Sequence, residues 1–132
     1  MQDMAHFGEH ITIDGYDGDP VLLNDRDHIL HCITGLCATL KMHPLSDVEV
    51  ISAPDNHIKD PGGWSAFVVI AESHIAIHTF PRRQFLSADV YTCQNGLDAD
   101  FIGNFFREAF ALHDIETNFI KRGTRYPERN TF

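Results

Sequence analysis

The chain has 132 residues, of which 43% are apolar and 22% charged, a length and composition typical of one soluble globular domain. Its formal net charge of −9 argues against nucleic-acid binding, which requires a basic surface. No segment approaches the ~20 consecutive apolar residues that span a bilayer, and the N-terminus lacks the basic and apolar parts of a signal peptide, so we expect a cytoplasmic protein without a membrane partner.

The predicted elements begin with a strand over residues 9–16, where apolar and polar side chains alternate. Turn chemistry follows over residues 17–20, and residues 24–42 have apolar side chains at helical spacing, ended by Pro44. Four strands, a second helix and a last strand come next, over residues 48–53, 64–71, 74–80, 85–93, 98–113 and 116–122. This order predicts an α+β fold, a two-layer sandwich with two helices on one face of an antiparallel-rich sheet of about six strands.

Two local patterns refine this expectation. In the second helix the spacing predicts four inward side chains, which are Ile102, Phe105, Ala109 and Leu112. The odd number of cysteines, two of which share the first helix and point in different directions, argues against a disulfide framework for Cys32, Cys37 and Cys93.

A short loop over residues 81–84 separates two of the predicted strands. If residues 80 and 85 form the pair that flanks it, antiparallel pairing runs back along both strands. The predicted opposed pairs are then His78–Ser87, His74–Tyr91 and Glu72–Cys93. Directly opposed side chains lie ~5 Å apart, so this register predicts a thiol beside Ser73 at a strand end.

Serine, cysteine and histidine side chains together suggest several chemistries. A hydrolase triad with Asp89 as the orienting residue is one option, but the Gly-x-Ser-x-Gly nucleophile elbow is absent. A metal site is another, but His74 and His78 lie four residues apart on a strand, about 13 Å, and could not share an ion. Three possible metal ligands on the predicted first helix have suitable spacing but lack a fourth ligand, namely His28, His31 and Cys32. We therefore expect no metal.

Residues 72–81, ESHIAIHTFP, and residues 89–93, DVYTC, resemble the bacterial and archaeal S-adenosylmethionine decarboxylase proenzymes. That family's pattern is roughly E-S-H-hydrophobic-x-I-H-T-W-P, followed by D-hydrophobic-aromatic-T-C, and the spacings match without gaps. The segment around Ser65 also aligns with a family Gly-x-Ser segment, and His10 matches a common family histidine. The resemblance covers residues 8 to about 122 and implies a carboxy-lyase formed by one domain, residues 1–132.

The resemblance implies that the chain cleaves itself between Glu72 and Ser73. The products would be a β chain, residues 1–72, and an α chain, residues 73–132. Ser73 would become a covalently bound pyruvoyl group, the cofactor that forms a Schiff base with the substrate amine and accepts the electrons left by departing carbon dioxide.

The resemblance also implies roles for three further residues. His78 and Ser65 would serve self-cleavage as proton carrier and hydrogen-bond partner, and Cys93 would protonate the product of decarboxylation. The family's commonest substrate is S-adenosylmethionine, decarboxylated for spermidine and other polyamine biosynthesis, and its relatives pair αβ protomers into a dimer. We therefore expect a homodimer that acts on a small molecule.

The sequence departs from the family where the nucleoside is recognised. Lys59 occupies the position of an aromatic residue that stacks on adenine in the family, which leaves His57, Ile58 and Trp64 as nearby substitutes. Arg82 replaces an acidic residue, and a guanidinium cannot accept from ribose hydroxyls. Arginine or ornithine therefore remains an alternative substrate, with Arg82 on the carboxylate and Asp14 or Asp89 on the basic group. A second alternative is an unprocessed, non-catalytic paralogue that binds or regulates a partner.

Overall fold

The structure is a computed structural model that describes residues 6–132. In chain order its elements are β1 (Gly8–Tyr16), α1 (Pro20–Leu23), α2 (Arg26–Thr39), β2 (Glu49–Ala53), β3 (Gly63–Ile70), β4 (Ser73–Phe80), a 3-10 turn (Pro81–Arg83), β5 (Phe85–Thr92), α3 (Ala99–Phe110) and β6 (Asp114–Arg122). The six strands form one antiparallel sheet in the order β2-β3-β4-β5-β1-β6. This architecture confirms the predicted α+β sandwich.

One difference from the expectation is the one-turn helix α1, which begins at the last residue of the predicted turn. The carboxylate of Asp19 accepts hydrogen bonds from the backbone N–H groups of Val21 and Leu22, and Pro20 stands at the first helical position, where it needs no hydrogen-bond donor. None of the helices within residues 6–132 has the length and apolarity needed to cross a membrane.

One face of the sheet packs against α2 and α3 and forms the core. Its fully buried side chains come from both layers and include Ile11, Ile13, Val68, Ile75, Ile77, Leu86, Val90, Ile29, Ile33, Leu36, Ile102, Phe106 and Phe110. Burying each of these stabilises the fold by about 1.5–3 kcal/mol. On α3, Phe106 and Phe110 are fully buried, whereas the predicted inward residues Phe105 and Ala109 are half-buried, so the buried stripe is rotated from the predicted one.

The opposite face of the sheet, called the open face below, carries the side chains that alternate with the core. In the pairing register one row across it is Ser65, His78, Ser87 and Asp14, and a second row is Val69, His74, Tyr91 and His10. Several large apolar side chains of this face are at least 40% exposed, namely Ile51, Phe67, Val69 and Ile120. The open face therefore combines the polar residues singled out in the sequence with exposed apolar surface.

Candidate active site

The bond expected to break lies at the end of the tight turn between β3 and β4. Ile70 pairs with Ser73 across this turn, and Ser73 pairs with Thr92 on β5. The backbone N–H of Cys93 donates a 2.8 Å hydrogen bond to the carbonyl oxygen of Glu72. The predicted register of the β4–β5 hairpin is confirmed by these contacts and by the pairs His78–Ser87 and His74–Tyr91.

The backbone of Ser73 is strained. Its φ angle is 151°, in a region that residues with a Cβ rarely adopt. Such a conformation costs about 1–3 kcal/mol and is typical of functional sites. Breaking the peptide bond that precedes Ser73 would release this strain, so the local conformation favours chemistry at that bond.

Glu72 is held by His43, a residue that the sequence analysis did not single out. The Glu72 carboxylate accepts from the His43 backbone N–H at 3.1 Å and lies 2.9 Å from its Nδ1. These hydrogen bonds hold the pKa of Glu72 below its ordinary value. His43 reaches the turn because its segment runs beside the end of β3, where the Leu45 N–H donates to the Val69 carbonyl and the Ala71 N–H donates to the His43 carbonyl.

The three cysteines occupy different environments. Cys93 is exposed, whereas Cys32 and Cys37 are buried in α2. Burial raises the pKa of Cys32 to about 12 and raises that of Cys37 as well, because a thiolate is poorly solvated there. Only Cys93 therefore combines solvent access with a position beside the Glu72–Ser73 bond.

Ser65 and His78 form a pair of their own on the open face. Ser65 Oγ lies 2.9 Å from His78 Nδ1, and the two residues are directly opposed on β3 and β4. His78 lies five residues along β4 from Ser73, which corresponds to about 17 Å in a strand. Within one chain the structure therefore separates this pair from Ser73, Glu72 and Cys93.

The structure does not bring the three predicted substrate-binding residues together. Trp64 lies on the core side of β3, where its indole N–H donates to Asn24. Arg82 lies in the 3-10 turn after β4, and Asp14 lies on the open face of β1, opposite Ser87. A cavity of about 320 Å³ adjoins Arg82, and its other lining residues are Asp55, His57, Ile58, Lys59, Asp60, Pro61 and Arg83. This cavity is at the His78 end of β4, not at the Ser73 end.

A cluster on the open face joins His10, His74 and Asp89. Both imidazole Nε2 atoms contact the same oxygen, Asp89 Oδ2, at 2.8 Å for His10 and 2.9 Å for His74. The three potential ligand atoms lie within 4.8 Å of one another, and two imidazoles with one carboxylate are a familiar set of metal ligands.

Arg122 determines which kind of site this cluster can be. Its Nη1 lies 2.9 Å from His10 Nδ1, and a guanidinium can only donate. His10 Nδ1 is therefore an acceptor, and the proton of the neutral ring is on Nε2, which donates it to Asp89. A metal ion would need the lone pair of that same nitrogen, so the arrangement fits a hydrogen-bond network and not a metal centre.

Sequence reasoning missed this cluster, although it noted each residue separately. Alternation places His74 and Asp89 on the same face of the β4–β5 hairpin, and that signal could have paired them. The pairing of His10 with Asp89 spans 79 residues and depends on β1 lying next to β5, which no local pattern indicates.

Comparisons with known proteins agree with this fold. A family model described as S-adenosylmethionine decarboxylase matches residues 9–123. The S-adenosylmethionine decarboxylase proenzyme of Acidithiobacillus ferrooxidans is 31% identical over 120 residues, which cover 91% of this chain and 85% of the relative. That of Clostridium tetani is 32% identical over 120 residues, covering 91% and 90%.

A solved structure extends the likeness to three dimensions. The crystal structure of the adenosylmethionine decarboxylase from Aquifex aeolicus matches with a TM-score of 0.78 and 25% sequence identity, covering 96% of this chain and 98% of that one. The comparisons confirm the resemblance carried by residues 72–81 and 89–93. The chain belongs to the S-adenosylmethionine decarboxylase family of carboxy-lyases.

Proposed function

We propose that this protein is a proenzyme that cleaves itself between Glu72 and Ser73 and then decarboxylates S-adenosylmethionine with the resulting pyruvoyl group, as a step of polyamine biosynthesis. The observation that carries this proposal is the 2.8 Å hydrogen bond from the Cys93 N–H to the Glu72 carbonyl. It polarises the carbonyl that Ser73 must attack, and it brings Cys93 next to the residue that becomes the cofactor.

Self-cleavage requires only groups that the chain supplies, together with water. The Ser73 hydroxyl attacks the Glu72 carbonyl carbon, and the peptide bond becomes an ester with a free amine on residue 73. The negative charge that develops on the Glu72 oxygen is stabilised by the Cys93 N–H, as in an oxyanion hole. Removal of the residue-73 α-proton then expels the Glu72 carboxylate, and water replaces the nitrogen, released as ammonia, to leave a ketone.

The proton transfers of this reaction point to a second copy of the chain. Ser65 and His78 form a 2.9 Å pair but lie about 17 Å from Ser73 of their own chain. A twofold dimer packed through the open faces would bring the His78 end of one chain to the Ser73 end of the other, at both sites at once. The exposed apolar side chains of the open face support this arrangement, because a dimer would bury them.

In decarboxylation the pyruvoyl group supplies an electron sink conjugated to an amide carbonyl. Cys93 then protonates the substrate carbon that has lost carbon dioxide, because Cys93 lies opposite Glu72 and its thiol is exposed. The cavity beside Arg82 would complete the substrate site across the same dimer interface, because it lies at the His78 end of β4.

Two measurements on purified protein test the proposal. Intact-mass spectrometry should find residues 1–72 and residues 73–132, the second with a pyruvoyl group in place of its first residue. Carbon dioxide release should then be measured from S-adenosylmethionine, arginine and ornithine in parallel. We expect activity with S-adenosylmethionine. Activity confined to arginine or ornithine would overturn the substrate, and an uncut inactive chain would overturn the enzyme in favour of a binding protein.

A further inference from the structure

We propose that Asp89 is a positioning residue that holds the new N-terminus of the α chain, and with it the pyruvoyl group, through the imidazole of His74. This inference rests on the proposed function. It concerns a contact on the open face of the sheet that takes no direct part in self-cleavage and does not touch the substrate.

Cleavage creates a physical problem at the start of β4. Residue 73 loses its covalent link to the turn, and a ketone oxygen on its former Cα replaces the backbone nitrogen, so it has no N–H for the strand ladder. Free chain ends fray unless they are tied down. His74 is then the first residue of β4 with a complete set of backbone hydrogen-bonding groups, and the geometry of the ketone depends on how firmly this residue is held.

The side chain of His74 is held on three sides. Its Nε2 lies 2.9 Å from Asp89 Oδ2, its ring stacks on Phe67 with centroids 5.3 Å apart and planes at 28°, and Tyr91 contacts it edge-on at 5.6 Å. The exposed fractions of the His74 and Asp89 side chains are 29% and 26%. A charge-assisted hydrogen bond in such a half-buried position is stronger than one on the surface.

Asp89 is itself anchored on its other side. The same Oδ2 atom accepts from His10 Nε2 at 2.8 Å, and His10 Nδ1 accepts from Arg122, whose guanidinium also lies 4.6 Å from the centre of the Tyr91 ring. The negative charge of Asp89 is thus balanced by Arg122 through a neutral imidazole. The network ties the beginning of β4 to β5, β1 and β6. None of these contacts involves the bond that is cut, so all of them remain afterwards.

The test compares Asp89→Asn in cut and uncut protein, with Asp47→Asn as the matched control, because Asp47 is exposed and lies outside the network. Asparagine preserves the size of the side chain but removes the charge that receives both N–H groups. The uncut background is Ser73→Ala, in which the turn still holds residue 73.

We expect Asp89→Asn to cut normally and to elute like wild type in size-exclusion chromatography. Its kcat should fall on the order of 10–100-fold with KM within about twofold, because a displacement near 1 Å at the reacting group has that effect. Amide hydrogen exchange over residues 74–78 should accelerate roughly tenfold in the cut protein and much less in the Ser73→Ala background. Asp47→Asn should change none of these.

Three outcomes would overturn the inference: an unchanged kcat, equal acceleration of exchange in cut and uncut chains, or failure of Asp89→Asn to cut or to assemble. Equal acceleration would indicate a merely structural role. Failure of the proposed function is a separate result, since wild-type protein would then show no cleavage and no carbon dioxide release.

Discussion

The backbone N–H of Cys93 donates to the carbonyl oxygen of Glu72 at 2.8 Å, although the two are 21 positions apart in sequence. In the proposed mechanism residue 93 therefore has two separable parts, a main-chain donor for self-cleavage and a side-chain thiol for decarboxylation.

Two substitutions at this position should have different effects. Cys93→Ala keeps the N–H, so the chain should be cut, but loss of the proton donor should lower kcat by roughly 10²–10⁴-fold. Cys93→Pro has no N–H and should cut about 10²–10³-fold more slowly. Gel electrophoresis and carbon dioxide release measure the two steps. Equal cutting of both variants would exclude the oxyanion role of the N–H.

Subunit complementation tests whether His78 acts on the partner's Ser73. His78→Ala and Ser73→Ala should each remain uncut when expressed alone. Co-expressed, they should form mixed dimers in which the His78→Ala chain keeps its Ser73 and faces an intact histidine, so that chain alone should be cut.

Mass spectrometry identifies which chain is cut, because the two variants differ in mass. Co-expression of His78→Ala with a second His78→Ala chain carrying a distinguishing tag is the matched control and should give no cleavage. Cleavage of His78→Ala expressed by itself would exclude the role of His78, and absence of cleavage in the mixed dimer would contradict the dimer argument.

The charge of Arg82 should weaken binding of a sulfonium substrate. Arg82→Glu exchanges a repulsive unit charge for an attractive one, and each interaction is worth about 1 kcal/mol at ~4 Å in a water-filled site. KM for S-adenosylmethionine should therefore fall roughly 30-fold, with kcat little changed. The same charge change at Arg125, in the exposed C-terminal segment, should leave KM unaltered. An equal effect of both variants would indicate that the net charge of the protein acts on the substrate, without a contact between Arg82 and the substrate.

The contact between His43 and Glu72 should make stability depend on pH. A carboxyl group whose pKa is depressed in the folded state stabilises that state above its ordinary pKa, and the stabilisation is lost as pH falls through the depressed value. In the uncut Ser73→Ala background, His43→Ala should lower Tm by about 2–4 °C at pH 6, and the difference should shrink towards pH 3.

His57→Ala is the control for this measurement, because His57 lies 3.7 Å from Asp55 in an exposed loop pair. It should change Tm little at either pH. A His43→Ala deficit that persists undiminished at pH 3 would show that the carboxylate is not the source of the effect.

Local patterns predicted the β4–β5 hairpin in full. The loop at residues 81–84 is short, and the alternation on both sides fixes the face of each side chain, so few registers are possible. The face of α3 was harder to predict. Aromatic residues occupy adjacent positions at Phe105 and Phe106, and only contact with the sheet determines that Phe106 is fully buried.

The remaining features depend on long-range contacts. The position of β1 between β5 and β6 creates the His10–Asp89 contact, and the segment after α2 brings His43 to the turn at Glu72. Neither the His10–Asp89 contact nor the His43–Glu72 contact can be deduced from propensity or spacing, because both depend on which segments of the chain are adjacent in the fold. The separation of His78 from Ser73 was already implied by strand geometry, which excludes their direct contact within one chain.

The strand order also determines how the mature protein would come apart. The first fragment contains β1 to β3 and the second β4 to β6, and β1 inserts between β5 and β6. Three of the five ladders, β3 with β4, β1 with β5 and β1 with β6, therefore join separate polypeptides. Denaturation of a chain cut in this way would separate its two fragments. Mass action would then make the denaturation midpoint of one αβ unit rise with protein concentration, whereas the midpoint of the intact precursor would not depend on fragment association.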